Sequence, residues 1–232
     1  MKLNDSNRPM RVLEKVLQGG LGSGNLGVVM SRRGTGKMAV LTSIALDNAM
    51  DGRGTLHVAI GESVADVRAY HDEVLAEILS SIGVTNKLEV TSGIERSKQI
   101  YTFRDGKFTL RRLRETLDFL RGGPEFAPTL IELQGWPDFD TVTADELGEL
   151  RKIARDYQSE IWLAAHTHRD GDVSGSGVPE SVARHLDQIE VLIALDPVGE
   201  HVKINVVKAH GRPVPGNVHL ELDPNTMLIR WR

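Results

Sequence analysis

Two patterns of apolar residues alternate along the chain: short continuous runs, and longer stretches in which apolar positions recur at helical spacing. Val12 to Leu17 predicts a short helix ended by Gly19-Gly20, and Leu26–Met30 (LGVVM) predicts a buried strand running into a glycine-rich turn. Lys37 to Met50 has helical periodicity and closes at Asp51-Gly52. A strand over Thr55–Ile60 follows, then a long amphipathic helix from Ser63 to Ser80 with Ser63 as its cap. Lys87–Thr91 reads as a short strand. Gln99–Phe103 and Phe108 flank Arg104-Asp105-Gly106-Lys107, which reads as a hairpin turn.

Beyond that turn the alternation resumes. Helices are predicted over Thr109 to Arg121, Thr143 to Tyr157 and Pro179 to His185, with strands over Thr129–Leu133 and Glu160–Ala165. Four strands then come in succession: Glu190–Leu195, Val202–Val207, Val218–Leu222 and Met227–Trp231. Strand–helix units followed by consecutive strands predict an α/β fold, a mostly parallel, helix-covered sheet with antiparallel C-terminal strands. The length of 232 residues suits one domain, residues 1–10 being a polar lead-in, and only Asp170–Pro179 has the look of low complexity.

Composition narrows the function classes. A net charge of −4 gives no global drive toward nucleic acid or anionic membrane. The absence of cysteine removes disulfides, thiol catalysis and cysteine metal sites. With no signal-peptide core and no membrane-spanning run, the expected location is the cytoplasm.

The candidate chemistry centres on Ser31-Arg32-Arg33-Gly34-Thr35-Gly36-Lys37-Met38, set between a predicted strand and helix. A phosphate loop reads G-x-x-x-x-G-K-[ST], and its amides, helix N-terminus and lysine bind the anion. Gly34, Gly36 and Lys37 are in place. Ser31 is acceptable where glycine is usual only if its backbone avoids the glycine-only region. Met38 replaces the hydroxyl that ligates Mg²⁺, and a thioether is a poor ligand for a hard ion. Thr35 has a hydroxyl on the wrong side of the lysine.

Glu62, at the end of a predicted strand, can orient or deprotonate a water, or it can simply precede the Ser63 cap. Glu132 is an acid among apolar residues and needs a partner. It reads either as an outer-sphere Mg²⁺ residue or as the partner of an arginine. Asp138 and Asp140 read as turn formers. His166 and His168 alternate on a strand and make a poor chelating pair, so no metal-binding residue is assigned. One of the two can sense a γ-phosphate from the strand tip.

In this order, the pieces resemble the RecA-like P-loop ATPases, most closely the branch holding the KaiC ATPases and the hexameric DnaB-type helicases. LQGGLGSGNLGVVMSRRGTGKMAVLTSIAL is similar to their entry segment, strand and Walker A loop. The resemblance implies a three-layer sandwich and covers about Glu14 to Arg232. It implies catalytic roles for Glu62, the second of two glutamates, for Glu132 at the Walker B aspartate, and for His166 in place of a sensor glutamine with Arg169 retained. It also implies ATP contacts by Ser31, Gly34, Thr35, Gly36, Lys37 and Met38. VKAHGRPVPG is similar to a K-x-R-x-G hairpin that reaches a neighbouring subunit's γ-phosphate, so Lys208 and His210 are nucleotide contacts across an interface.

Five departures (Ser31, Met38, Glu132, His166 and His210) fall on positions that bind metal, sense phosphate or stabilise charge. A missing trans-arginine alone costs on the order of 10³ to 10⁵ in rate. The expectation is an ATP-binding homo-oligomer, ring or filament, with slow hydrolysis or none, and Met38 argues against Mg²⁺. The alternative is a pseudo-ATPase scaffold acting on a protein partner. A DNA motor is the third reading, against which the acidic or neutral Thr167–Pro179 segment argues. The best basic helix carries Arg111, Arg112, Arg114 and Arg121, but Glu115 and Asp118 interrupt it.

Overall fold

The computed structural model describes residues 10–122, 126–167, 177–212, 220–223 and 229–231. His168, Arg169 and most of the Asp170–Pro179 segment lie outside them, as do Val218 and Met227.

The apolar runs form one nine-stranded sheet: β1 (Leu26–Ser31), β2 (Gly54–Ile60), β3 (Lys98–Phe103), β4 (Pro128–Gln134), β5 (Glu160–His166), β6 (Val191–Val198), β7 (His201–Ala209), β8 (Leu220–Leu222) and β9 (Ile229–Trp231). Their order is β3-β2-β4-β5-β1-β6-β7-β8-β9. Pairing is parallel from β3 to β6 and antiparallel from β6 to β9. The α/β architecture with an antiparallel C-terminal edge is the one expected.

Seven helices lie among the described residues: α1 (Arg11–Val16), α2 (Lys37–Met50), α3 (Val64–Ser81), α4 (Lys87–Ser97), α5 (Leu110–Arg121), α6 (Ala144–Asp156) and α7 (Glu180–Ala183). The two-residue period of β1 separates the layers. Leu26, Val28 and Met30 join Leu113 and Leu117 of α5 and Leu147, Leu150 and Ile153 of α6 in one core. Val29 faces the other way, toward Leu13 of α1 and Val40, Leu41 and Ile44 of α2. Both faces of β1 are covered, which is why its run is apolar throughout. Gly27 has no room for a side chain, because a Cβ would stand 2.6 Å from the buried ring of Trp162.

Side-chain caps set the helix starts. Ser63, Thr109 and Thr143 each accept from an amide in the first turn, and Thr143 with Glu146 completes a capping box. α2 crosses over β5 and β4 to deliver the chain to β2 and is buried along its length except at Met38. It packs on the sheet and beneath α3 and α4, so it lacks the polar face of a surface helix.

Two expectations need correction. Lys87–Thr91 is the start of α4 and not a strand. Asn86 accepts from the Glu89 amide and its side chain donates to Glu89, a helix-start signature, while Ile94 anchors the helix. Arg104–Lys107 does turn, with the Lys107 amide on the Arg104 carbonyl at 3.0 Å, but no hairpin forms. β3 pairs in parallel with β2, and Phe108 packs edge-on against Phe103 before the chain enters α5.

Candidate functional site

The glycine-rich segment joins the carboxyl end of β1 to the N-terminus of α2. Gly34 and Gly36 have φ of +74° and +90°, values that side-chain-bearing residues rarely adopt. A Cβ on Gly36 would also meet Leu222 at 2.6 Å. Ser31, the last residue of β1, pairs with His166 and has no left-handed backbone, so the missing glycine carries no strain. The first turn of α2 contains no acid, leaving its free amides and dipole available to an anion.

Lys37 is buried and folds back into the loop. Its Nζ donates to the Ser31 carbonyl at 2.9 Å, the Ser31 Oγ at 3.1 Å and the Arg32 carbonyl at 3.1 Å. Burial and then the neighbouring Arg33 charge lower its pKa to about 8. Thr35 is buried in the loop, and Met38 is half-buried, its thioether side chain packing against the core below.

The loop opens onto a cleft of about 690 Å³ at the carboxyl edge of the sheet, the place where open α/β folds bind ligands. Arg33, Gly34, Gly36, Lys37 and Met38 line one side. Glu62, at the end of β2, and His166, at the end of β5, line it as well, so the structure brings these two together with the loop. Asp66, Val67 and Tyr70 of α3 form the far wall. Burial and then the nearby Glu132 charge raise the Tyr70 pKa to about 12, keeping the phenol neutral.

Glu132 does not line the cleft. Two residues below the strand end, it is fully buried and level with His57 of β2. Alternation puts Glu132 and Gln134 on one face of β4, and Gln134 is the one that reaches the edge. The cleft therefore presents an amide where the Walker B comparison places an acid. The partner of Glu132 is no arginine: His57 Nδ1 is 3.1 Å from its Oε2, His71 Nε2 is 3.8 Å away, and Thr42 donates to Oε1 at 3.4 Å. Burial opposes its ionisation, but the two histidines and Thr42 outweigh it and hold the carboxyl below the usual range. For His57, burial is likewise outweighed by Glu132 and the pKa is raised, whereas burial dominates at His71 and takes it down to about 4.

A hydrogen-bonded chain links this buried group to the cleft. His57 Nε2 donates to Gln134 Oε1 at 2.9 Å, and Gln134 Nε2 donates to Glu62 Oε1 at 2.7 Å. Gln134, His57 and His71 were not singled out by sequence. The available signal was the even spacing of His57 within TLHVAI and of Glu132 and Gln134 within TLIELQ, polar positions on otherwise apolar strands.

Lys208 and His210 sit at the opposite edge of the sheet. Lys208 Nζ donates to the Leu186 and Ile189 carbonyls, both at 2.6 Å. His210 lies 2.8 Å from the Gly20 carbonyl, with φ of +51°. Neither touches the cleft of its own chain. Asp138 forms the expected turn, accepting from the Asp140 amide at 3.0 Å. The α5 arginines have partners within the chain: Arg114 bonds Glu149 and Asp156, Arg111 pairs with Glu115, and Arg121 lies over the Tyr157 ring.

With the geometry established, comparison gives the fold a name. No protein-family profile and no curated protein matches this sequence. Among solved structures, the chain superposes on the ATPase domain of a DnaB-like helicase with a TM-score of 0.70 over 97% of this chain and 90% of that one, at 12% identity. The fold is RecA-like. At that identity the RecA-like likeness concerns architecture, and 529 solved chains match the structure, so it is the cleft that must argue function. Among the described residues, no helix is long and apolar enough to cross a membrane.

Proposed function

We propose that the cleft binds a nucleoside triphosphate, ATP being the reading that the RecA-like fold favours, and that it hydrolyses the nucleotide slowly or not at all. One observation carries this: a buried lysine at the acid-free N-terminus of α2, beneath two left-handed glycines, opens onto a large cleft at the sheet's carboxyl edge. The amides of 34–38 and Lys37 would hold the phosphates, Lys37 exchanging its carbonyl partners for phosphate oxygens.

The usual Mg²⁺ position does not fit this chain. Met38 offers a thioether, and Gln134 an amide whose oxygen accepts from His57 and whose nitrogen donates to Glu62. Glu62 and His166 remain as cleft-edge groups able to order a water, which supports binding ahead of turnover. Because Lys208 and His210 lie at the far edge, any nucleotide they serve belongs to a neighbouring copy, and we place this function in a homo-oligomer. A scaffold acting through protein contacts is the second reading, favoured by the exposure of Phe119 (79%) and Leu88 (81%). The engaged α5 arginines speak against nucleic acid.

Calorimetric titration of ATP into the wild type and Lys37→Ala, in EDTA and in Mg²⁺, tests the proposal. Saturable wild-type binding with little Mg²⁺ dependence, weakened in the variant, supports it. Absent or equal binding in both proteins overturns it.

A further inference from the structure

The buried side chains under the cleft present a donor set that the nucleotide reading does not use. His57 from β2, His71 from α3 and Glu132 from β4 converge with exposures of 1%, 0% and 0%. Their facing atoms are His57 Nδ1, His71 Nε2 and Glu132 Oε2, separated by 2.8, 3.1 and 3.8 Å. A triangle of those sides leaves a point about 2.0 Å from all three atoms, the length of Zn–N and Zn–O bonds.

Protons alone serve this arrangement badly. Gln134 fixes His57 with a proton on Nε2. Its Nδ1 then faces two acceptors at once, and one proton cannot satisfy both. Glu132 Oε2 is left with no aligned hydrogen-bond donor although His57 Nδ1 is 3.1 Å away, and His71 Nδ1 has no partner either. An unsatisfied carboxylate oxygen in a fully buried site is costly. A cation among the three atoms satisfies Oε2 and both ring nitrogens together. The hydrogen bond from His57 Nε2 to Gln134 is also the kind of outer contact that orients a metal-bound imidazole.

We propose that His57, His71 and Glu132 form a buried binding site for a divalent transition-metal ion, with Zn²⁺ the ion that a two-histidine, one-carboxylate set favours. The site is distinct from the phosphate loop and suits a borderline-soft ion, where a nucleotide's Mg²⁺ would want oxygen ligands. It joins β2, β4 and α3, the elements that carry Glu62, Gln134, Asp66 and Tyr70 to the cleft, so the metal fixes the far wall against the sheet. His57, through Gln134, then links the ion to Glu62.

The test uses the full chain without an affinity tag, stripped with chelator, reloaded with Zn²⁺ or Mg²⁺, passed through gel filtration and assayed for metal. The expected result is about one equivalent of Zn²⁺ and no retained Mg²⁺ in the wild type. His201→Gln, which removes an exposed imidazole, retains that equivalent, and His71→Gln loses it with its circular dichroism unchanged. Wild type holding less than about a tenth of an equivalent overturns the proposal, as does His71→Gln holding as much as wild type. Should His71→Gln not fold, X-ray absorption of the zinc-loaded wild type decides. Two imidazoles and oxygen at about 2.0–2.2 Å support the site, and fewer than two imidazoles overturn it.

Discussion

The ammonium of Lys37 lies 2.9 Å from the carbonyl oxygen of Ser31, so the anion-binding group of the loop is satisfied by the loop itself. Two backbone carbonyls and one hydroxyl stand in for phosphate oxygens and keep a buried cation solvated. An incoming anion must replace three hydrogen bonds, which places Lys37 at the centre of any binding equilibrium.

Removal of that group should weaken ATP binding without unfolding the protein. Hydrogen bonds to charged groups contribute about 1.5–3 kcal/mol, so Lys37→Ala should lose roughly 10- to 100-fold in affinity. Calorimetry measures the loss, and an unchanged melting profile separates it from misfolding.

The lowered Lys37 pKa gives binding a pH dependence. Its folded value is about 8 against an ordinary 10.5. Below pH 8 the lysine is charged in folded and unfolded chains alike. Between 8 and 10.5 the unfolded chain holds the extra proton, so this residue makes stability rise with pH through that window. Affinity for an anion moves the other way as the charge is lost. Wild-type ATP affinity should fall above about pH 8, by at most about tenfold per unit, while Lys37→Ala stays flat between about pH 7 and 9.5.

Restoring the missing oxygen ligands should restore a metal response. Met38→Thr with Gln134→Asp puts a hydroxyl on α2 beside a carboxylate at the end of β4. ATP affinity of the double variant should gain a Mg²⁺ dependence of about tenfold that the wild type lacks, read by titration with and without EDTA.

Much of the fold was legible in sequence because β1, α2 and the capped helices obey local rules that packing reinforces. LGVVM is apolar throughout because both its faces are covered, and Ser63, Thr109 and Thr143 announce their helices. Lys87–Thr91 misled because the Asn86–Glu89 cap was outweighed by an apparent alternation. The loop residues Gly34, Gly36 and Lys37 could be read from spacing. The depth of Glu132 could not: one strand alternation separates a cleft-edge residue from a buried one, and only register with β2 and β5 shows that Gln134 holds the edge. The meeting of His57, His71 and Glu132 joins residues far apart in the chain, which no local pattern reports.

Glu132 should matter to stability. Truncating one partner of a buried charged group strands the other, at a cost of about 3–5 kcal/mol. Glu132→Ala should lower the unfolding free energy by that amount in urea titrations, whereas an exposed pair such as Arg111–Glu115 should contribute under about 1 kcal/mol.

Gly27 offers an independent check on the packing of β1. A methyl group there meets the Trp162 ring at 2.6 Å, so Gly27→Ala should cost about 1–3 kcal/mol and change the tryptophan emission.

The central claim is that the loop takes a nucleotide's phosphates in exchange for its own carbonyls. A crystal structure grown with a non-hydrolysable ATP analogue tests this most directly. The account predicts triphosphate density against the amides of 34–38, with Lys37 Nζ drawn off the Ser31 carbonyl onto a phosphate oxygen. An empty cleft at saturating analogue, with the Lys37–Ser31 contact intact, would contradict it.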